Sequence, residues 1–332
     1  MPTARLPQLS ADGKLLRFCA TVEPPEELYT HGTCSTLCSI DATAIAGALA
    51  GTASAALPVA TLIDTVDEVT EDGGFPGLWG GTGAGLSWHD LADEGGLLIN
   101  SAAFGVDTIW YLPADAESGT HPQRLATQAS VMAAQGAVHG GEIIALVQSP
   151  VRPPTLCSAP LSALLRECSS AGPFDDTSSV WQPFWGDTDQ AGWSSASWQQ
   201  ASLSPPTRIY PANTAGEVVH YISVLPSILT AASPAVIFPH GGPHSVTTSA
   251  FAPSAAFFVQ LGYSVHLVNY RGSLSFGQAS VKALKGRCGD IDVADTAQVA
   301  EDIVAKGMAD HARLFFLGGS HSGFIGAHLA GQ

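Results

Sequence analysis

The sequence predicts a chain in two parts: antiparallel β-structure over residues 1–205, then an α/β unit with a parallel sheet over residues 206–332. Three observations carry that expectation. Short apolar runs separated by turns rich in Asp and Gly recur through the first part. From Glu217 the pattern changes to apolar runs alternating with helix-length segments, which implies parallel strands joined by right-handed crossovers. Near the end, Phe315-Phe316-Leu317-Gly318-Gly319-Ser320-His321-Ser322-Gly323-Phe324 reads as a strand, a tight glycine turn with a serine at its apex, and a helix.

In chain order, Leu9 to Leu16 reads as a polar turn feeding a strand. The signal returns at Leu86-Ser87-Trp88, then Asp93-Glu94-Gly95-Gly96 before Leu97-Leu98-Ile99, then Asp107 to Leu112, a turn at Asp115–Gly119, and Gln123-Arg124-Leu125. A weaker instance is Gly140-Gly141-Glu142 before Ile143 to Val147, followed by a Pro-rich turn at 150–154 and a strand near Leu156. Four-stranded units recurring with an Asp-Gly turn suggest propeller blades, about three of them, fewer than the roughly 4–8 of a closed ring. An unrelated β-sandwich is the alternative. Trp181, Trp185, Trp193 and Trp198 fall in a Ser/Gly-rich stretch and are read as packing anchors. The domain boundary is expected between Pro205 and Asn213. Beyond it, 218–225, 235–238, 264–269 and 313–317 are expected strands, and 251–261 and 292–306 expected helices.

Composition narrows the class. A formal net charge of −16 over 332 residues argues against nucleic acid or an anionic membrane as partner. The six cysteines are scattered. Cys34 and Cys38, with His31 before them, lack the second ligand pair of a zinc site, so buried free thiols are the preferred reading and no metal is expected. No signal peptide is evident at the N-terminus. Residues 42–63 carry no charge, but they are mostly small and include Pro58. They are read as a flexible low-complexity loop rather than a membrane span. A soluble cytoplasmic protein follows as the default, with self-association left open.

The chemistry concentrates in two motifs. A serine hydroxyl is a weak nucleophile and must be held exposed beside a base. A glycine turn between strand and helix, of the G-x-S-x-G kind, does the first part, and here Gly318, Ser320 and Gly323 are present while Ser322 stands where the second glycine is expected and should crowd the turn. Upstream, Val236-Ile237-Phe238-Pro239-His240-Gly241-Gly242-Pro243-His244 is an apolar strand ending in H-G-G-P. Such a loop offers backbone N–H groups to a developing oxyanion, with the second donor from His321, the residue after the nucleophile. His240 alone would be read as a core histidine. In Asn269-Tyr270-Arg271-Gly272-Ser273, Arg271 is expected to brace the structure against Asp292 or Asp295 rather than bind substrate.

The run through Pro239-His240-Gly241-Gly242-Pro243-His244-Ser245, Gly262-Tyr263, Val268 to Ser273, Phe276-Gly277 and Gly318-Gly319-Ser320-His321 resembles the prolyl oligopeptidase clan of serine peptidases, and within it the acylaminoacyl-peptidases. The likeness is strong over 235–332 and weak over 1–205. It implies a β-propeller, partial here, followed by an α/β-hydrolase fold truncated after the nucleophile turn. It implies a cytosolic exopeptidase that removes N-acylated residues from short blocked peptides and needs no cofactor, with the propeller screening out folded proteins. Ser320 becomes the nucleophile, and the backbone around Gly241, Gly242 and His321 the oxyanion hole, with His240 and Arg271 in support. The sequence departs from the family at Ser322, at Ser275 (where a glycine is usual before Phe276-Gly277), in the short propeller, and after Ser320. No Asp or Glu follows that serine, and His328 is the one histidine beyond the turn. The chain as written is therefore expected to be inactive, with its last sheet edge uncovered. Another peptidase of the clan and a non-catalytic propeller-bearing interaction protein are the alternatives.

Overall fold

A computed structural model describes residues 3–21, 34–52, 56–69, 74–79, 86–91, 95–117, 119–125, 130–167, 180–184, 202–203, 207–209 and 218–331. His31, Trp185, Trp193, Trp198 and most of the expected boundary at 205–213 lie outside the described residues.

The first half builds three antiparallel sheets from strands adjacent in sequence. In the first, β1 (Thr3–Leu9), β2 (Leu15–Thr21), β3 (Cys34–Asp41) and β4 (Ala60–Ile63) pair in that order, and β5 (Leu78–Trp79) adds to β3. The second runs β6 (Ser87–Asp90), β7 (Leu97–Ala103), β8 (Val106–Leu112), β9 (Gln123–Arg124). The third runs β10 (Ser130–His139), β11 (Glu142–Ser149), β12 (Arg152–Pro160), β13 (Gln182–Pro183).

Period-2 alternation explains how they pack. In the second sheet Ile99 lies opposite Trp110, and Leu97 opposite Leu112. These four face Cys19, Leu37, Ile63 and Leu78 of the first sheet. Leu98 and Ile109 point the other way, onto Ile143, Ala145 and Cys157 of the third. The middle sheet is buried on both faces, which is why its strands read as continuous apolar runs. Trp181 packs half-buried against the same third-sheet cluster, consistent with an anchor.

Two expectations are corrected here. Residues 42–63 are not a featureless loop. Asp41 accepts hydrogen bonds from the Thr43 and Ala44 amides and so caps helix α1 (Ala42–Leu49), and β4 follows. No helix among the described residues is long and apolar enough to cross a membrane. The Pro-rich segment is already strand: β12 begins at Arg152 and carries Pro153 and Pro154, and the turn sits between Ser149 and Arg152, where the register shifts.

The second half is a mixed sheet, not a purely parallel one. β14 (Ser202–Leu203), β16 (Val219–Leu225), β18 (Ser264–Asn269), β17 (Ala235–Pro239) and β19 (Leu314–Phe316) lie in that spatial order, and β15 (Thr207–Ile209) also pairs β16. β17 runs parallel to β18 and β19, whereas β16 is antiparallel to β18. Helix α2 (Leu161–Glu167) belongs to the first half. Helix α3 (Pro253–Gln260) covers Val236, Val265 and Leu267 on one sheet face. After the short α4 (Gln278–Ala283), α5 (Ile291–Ala305) covers Ala235, Ile237 and Val268 on the other, through Val299 and Ile303. β19 is the last strand of the described sheet, with Phe315 and Phe316 exposed.

The halves meet at several places, among them the β7–β8 hairpin tip. Phe104 and Gly105 take positive φ, 50° and 74°, and push the tip into the second half. The Phe104 amide donates to the Ser275 carbonyl, and the Ser249 amide donates to the Gly105 carbonyl at 2.7 Å. Thr248 Oγ1 donates to Asp107, 2.7 Å, while Arg208 sits over the Phe104 ring and His220 stacks on Phe276.

Candidate active site

Ser320 sits where strand becomes helix. β19 is held by β17, and the Leu317 amide extends that pairing by donating to the Ile237 carbonyl. The chain then turns sharply. Ser320 has φ 57° and ψ −128°, a conformation that a residue with a Cβ adopts only when its surroundings over-determine it. Helix α6 (His321–Ala330) starts at the next residue. Ser320 is exposed at the positive end of that helix, where a developing negative charge is favoured.

Gly318 is required by space: a Cβ there would fall 2.6 Å from Ser322 Oγ and 2.9 Å from the Phe316 ring. Ser322 itself does not crowd the turn as expected. It is buried, its hydroxyl donates to the Gly319 carbonyl at 2.8 Å, and it accepts from the Gly319 amide at 2.9 Å. The serine that replaces glycine thus ties the turn together.

The H-G-G-P loop leaves β17 and reaches the same place. A Cβ built on Gly241 would lie 3.5 Å from Ser320 Cβ and 4.0 Å from Ser320 Oγ, so the two expected partners face each other. Gly242 has φ 133°, and a Cβ on it would fall 2.8 Å from the His244 amide nitrogen. His240 is buried, and desolvation pushes its pKa down to about 4, so it is neutral near pH 7. Its Nδ1–H then donates to the Gly241 carbonyl, 2.6 Å, which can only accept, and Nε2 faces Ser273 Oγ at 2.7 Å. Tyr270 stacks on the imidazole and donates to the His240 and Pro243 carbonyls. Burial, then the nearby Asp292 charge, pushes the phenol pKa up, so it stays a donor. His244 Nδ1 approaches the Gly272 carbonyl at 2.9 Å. The 270–273 segment is the floor on which the glycine loop rests.

Arg271 braces that floor. Its guanidinium and its backbone amide both bond Asp295, with Nη2 to Oδ1 at 2.6 Å, and both side chains are buried. Of the two partners open in the sequence, Asp295 is the one used. Asp292 instead meets His321 Nε2 at 2.7 Å. That pair, Ser273 under His240, and the Ser322 tie were not foreseen as parts of the site. Sequence spacing carries no signal for that pair, since Asp292 and Asp295 share one face of α5. Ser275, the other departure, takes φ 71°, and its hydroxyl accepts from the Gly105 amide of the hairpin tip, 3.3 Å. Among the described residues no cluster of three metal-ligating side chains occurs, and Cys34 and Cys38 are buried free thiols.

Comparison with known proteins fits this geometry. Residues 249–332 match the prolyl oligopeptidase family. Acylamino-acid-releasing enzyme 1 of Oryza sativa subsp. japonica is 41% identical over 103 residues, 31% of this chain and 13% of the relative. Acylamino-acid-releasing enzyme of Sus scrofa is 38% identical over 138 residues, 41% of this chain and 19% of the relative. Among solved structures, Pyrococcus horikoshii acylaminoacyl peptidase superposes with a TM-score of 0.64 at 15% identity, covering 98% of this chain and 42% of that one, a likeness of fold. The chain thus spans well under two thirds of the length of these relatives. The matched segment 249–332 carries the serine turn, and over that segment the chain is similar to the prolyl oligopeptidase family of serine peptidases.

Proposed function

We propose that Ser320 is the nucleophile of an acyl-transfer reaction that releases N-acylated residues from short blocked peptides. One observation carries the reading: an exposed serine held at φ 57° on a helix N-terminus, facing Gly241 of the H-G-G-P loop. In this reading Ser320 Oγ attacks the scissile carbonyl carbon. The oxygen that becomes negative sits between the backbone N–H groups of the Gly241-Gly242 loop and of His321, donors that need no reorganisation. The amine leaves, and water resolves the acyl-enzyme. His240 and Arg271 hold the loops and touch no substrate. The preference for acyl-blocked peptides rests on the names of the relatives over 30–41% of the chain.

The three stacked antiparallel sheets are read as blades of a partial propeller over 1–205 that limits access to short peptides. A reducing, cytoplasmic setting suits the five described cysteines, all free. Among the described residues the Ser320 hydroxyl has no hydrogen-bond partner, and the His321 ring is committed to Asp292. Residues 1–332 are therefore expected to show no turnover while Ser320 still forms covalent adducts. The test is hydrolysis of acetyl-alanyl against free alanyl p-nitroanilide by the native polypeptide and by 1–332, each with Ser320→Ala. Activity of the native polypeptide on the acetylated substrate that vanishes in the variant supports the reading. A preference for the free amine would move it to another peptidase of the family. Turnover by residues 1–332 that needs Ser320 would overturn that expectation.

A further inference from the structure

The strained turn raises the question of what holds it. On the strand side the answer is β17 and the Ser322 tie. On the helix side the first residue of α6, His321, must present its backbone N–H toward the reacting carbonyl oxygen, yet its side chain leans away, onto α5. There it meets Asp292 at 2.7 Å, in a place where the carboxylate is fully buried and the imidazole nearly so. Asp292 is itself pinned: its Oδ1 accepts from the Gly289 amide at 2.7 Å and from its own neighbour Val293 at 3.0 Å. It stands in the first turn of α5, where the helix dipole favours a negative charge. Tyr270 and Phe324 flank the imidazole, with ring centroids 5.9 and 5.4 Å away. A buried carboxylate with both oxygens committed has little freedom, and the imidazole bonded to it has little more.

We propose that Asp292 is a positioning residue for the oxyanion hole, acting through the His321 side chain to aim the His321 backbone N–H. This inference rests on the reading of Ser320 as nucleophile. Asp292 touches no reacting atom. Its effect is transmitted as rotation of one peptide plane, and a misplacement of about 1 Å at such a donor costs on the order of a hundredfold.

The test uses a tetrahedral adduct rather than turnover, so it does not depend on a general base. Acetyl-alanine boronate is titrated into the full chain and followed by boron NMR. Ser320 Oγ forms the B–O bond, trigonal boron becomes tetrahedral and anionic, and the hydroxyl proton passes to solvent. The boronate oxygen then occupies the oxyanion position. Asp292→Asn and His321→Ala are each expected to weaken the adduct roughly ten- to a hundredfold. The double variant should be no worse than His321→Ala alone, because Asp292 acts only through that ring. His321→Gln, whose amide can still donate to Asp292, should recover most of the affinity, and only while Asp292 is present. Circular dichroism and unfolding midpoints identify any variant that has lost its fold. His321→Ala, which removes a side chain less buried than that of Asp292, keeps the test alive should Asp292→Asn not fold. An adduct as tight in both single variants as in the parent overturns the proposal, as does a double variant whose losses add. A parent that forms no adduct, or a Ser320→Ala variant that still does, overturns the reading of Ser320 instead and this inference with it.

Discussion

In the antiparallel sheets every strand but β5, which adds to β3, pairs with a neighbour in sequence. In the mixed sheet the order β14-β16-β18-β17-β19 makes nearly every pairing a crossover. The polar interior differs too. The second half buries His220, His240, His266, Arg271, Asp292 and Asp295, most of them tied to loops at the ends of parallel strands. The first half buries mainly apolar side chains between sheets. The lesson is a division of labour. Locally paired sheets need only shape and alternation. A site on strand ends needs loops brought together from distant sequence, and buried charge supplies directional contacts that apolar packing lacks.

Breaking one half at a time tests whether that division extends to stability. The largest effect is expected from Asp295→Ala, which removes the buried carboxylate that the Arg271 guanidinium and amide both bond and should cost about 3–5 kcal/mol in urea unfolding. Trp110→Ala, which opens a hole between the first two sheets, should cost ~3–4 kcal/mol. If the hairpin tip makes the chain one cooperative unit, both variants shift a single transition. Two transitions, each moved by one variant, would mean the halves unfold separately.

Acidity sharpens the contrast next. Burial pushes His220 and His266 down to about 3 and His240 to about 4. Their folded states resist a proton that the unfolded chain accepts, so stability present above about pH 6.5 is lost as pH falls toward 4. Burial pushes Asp107 up to about 6, against the hydrogen bond from Thr248. A raised carboxyl has the opposite sign: the folded chain holds the proton longer, and stability falls as pH rises from about 4 to 6. The three histidines should outweigh it, so the protein is expected to unfold more easily at pH 4.5 than at pH 7. Asp107→Asn should stabilise by up to ~3 kcal/mol at pH 7 and little at pH 4, measured by unfolding at both. A gain that is the same at both values would remove Asp107 from the account.

The smallest effect concerns the joint itself. Ser275→Gly relieves a positive φ while losing one hydrogen bond and should be nearly neutral. Ser275→Ala keeps the strain, loses the bond and should cost about 1 kcal/mol. Equal effects would mean that the Ser275 backbone is unstrained.

The strand positions of the second half and the two glycine motifs were legible because each local signal is strong: apolar runs with sharp ends, and glycines at places where a Cβ would collide. The same holds for β7 and β8, apolar on both faces. β3 escaped notice because Cys34-Ser35-Thr36-Leu37-Cys38-Ser39 buries small polar side chains as well as apolar ones, so no alternation shows. β10 escaped because its Ala-rich run has no strong strand preference. Asp292 and Asp295 are three apart on one helix, hence on one face, and sequence spacing has no means of choosing between them. Tertiary placement chose: Asp295 lies under the 270–273 loop and Asp292 beside α6. The roles of Ser322 and Ser275 were likewise invisible, since each depends on which amide its hydroxyl meets.

The hairpin tip has a consequence in time. Asp107 and Thr248 are 141 residues apart, and Gly105 and Ser275 are 170 apart. A hairpin closes in about 1–10 μs, whereas contacts across such separations must first meet the entropy of closing a long loop. The β7–β8 tip should therefore exist as a finished surface before the glycine loop and the 269–275 segment settle on it. Trp88 and Trp110 lie in the core between the first two sheets, whereas Trp79 packs on Val246, Leu274 and Val281 of the second half, so the fluorescence of a Trp79→Phe variant is the signal that reports the first half. On refolding, that signal should recover ahead of the reactivity of Ser320 toward the boronate, and equal rates would refute the order. The order makes the sheets a template, and the catalytic geometry the last thing cast against it.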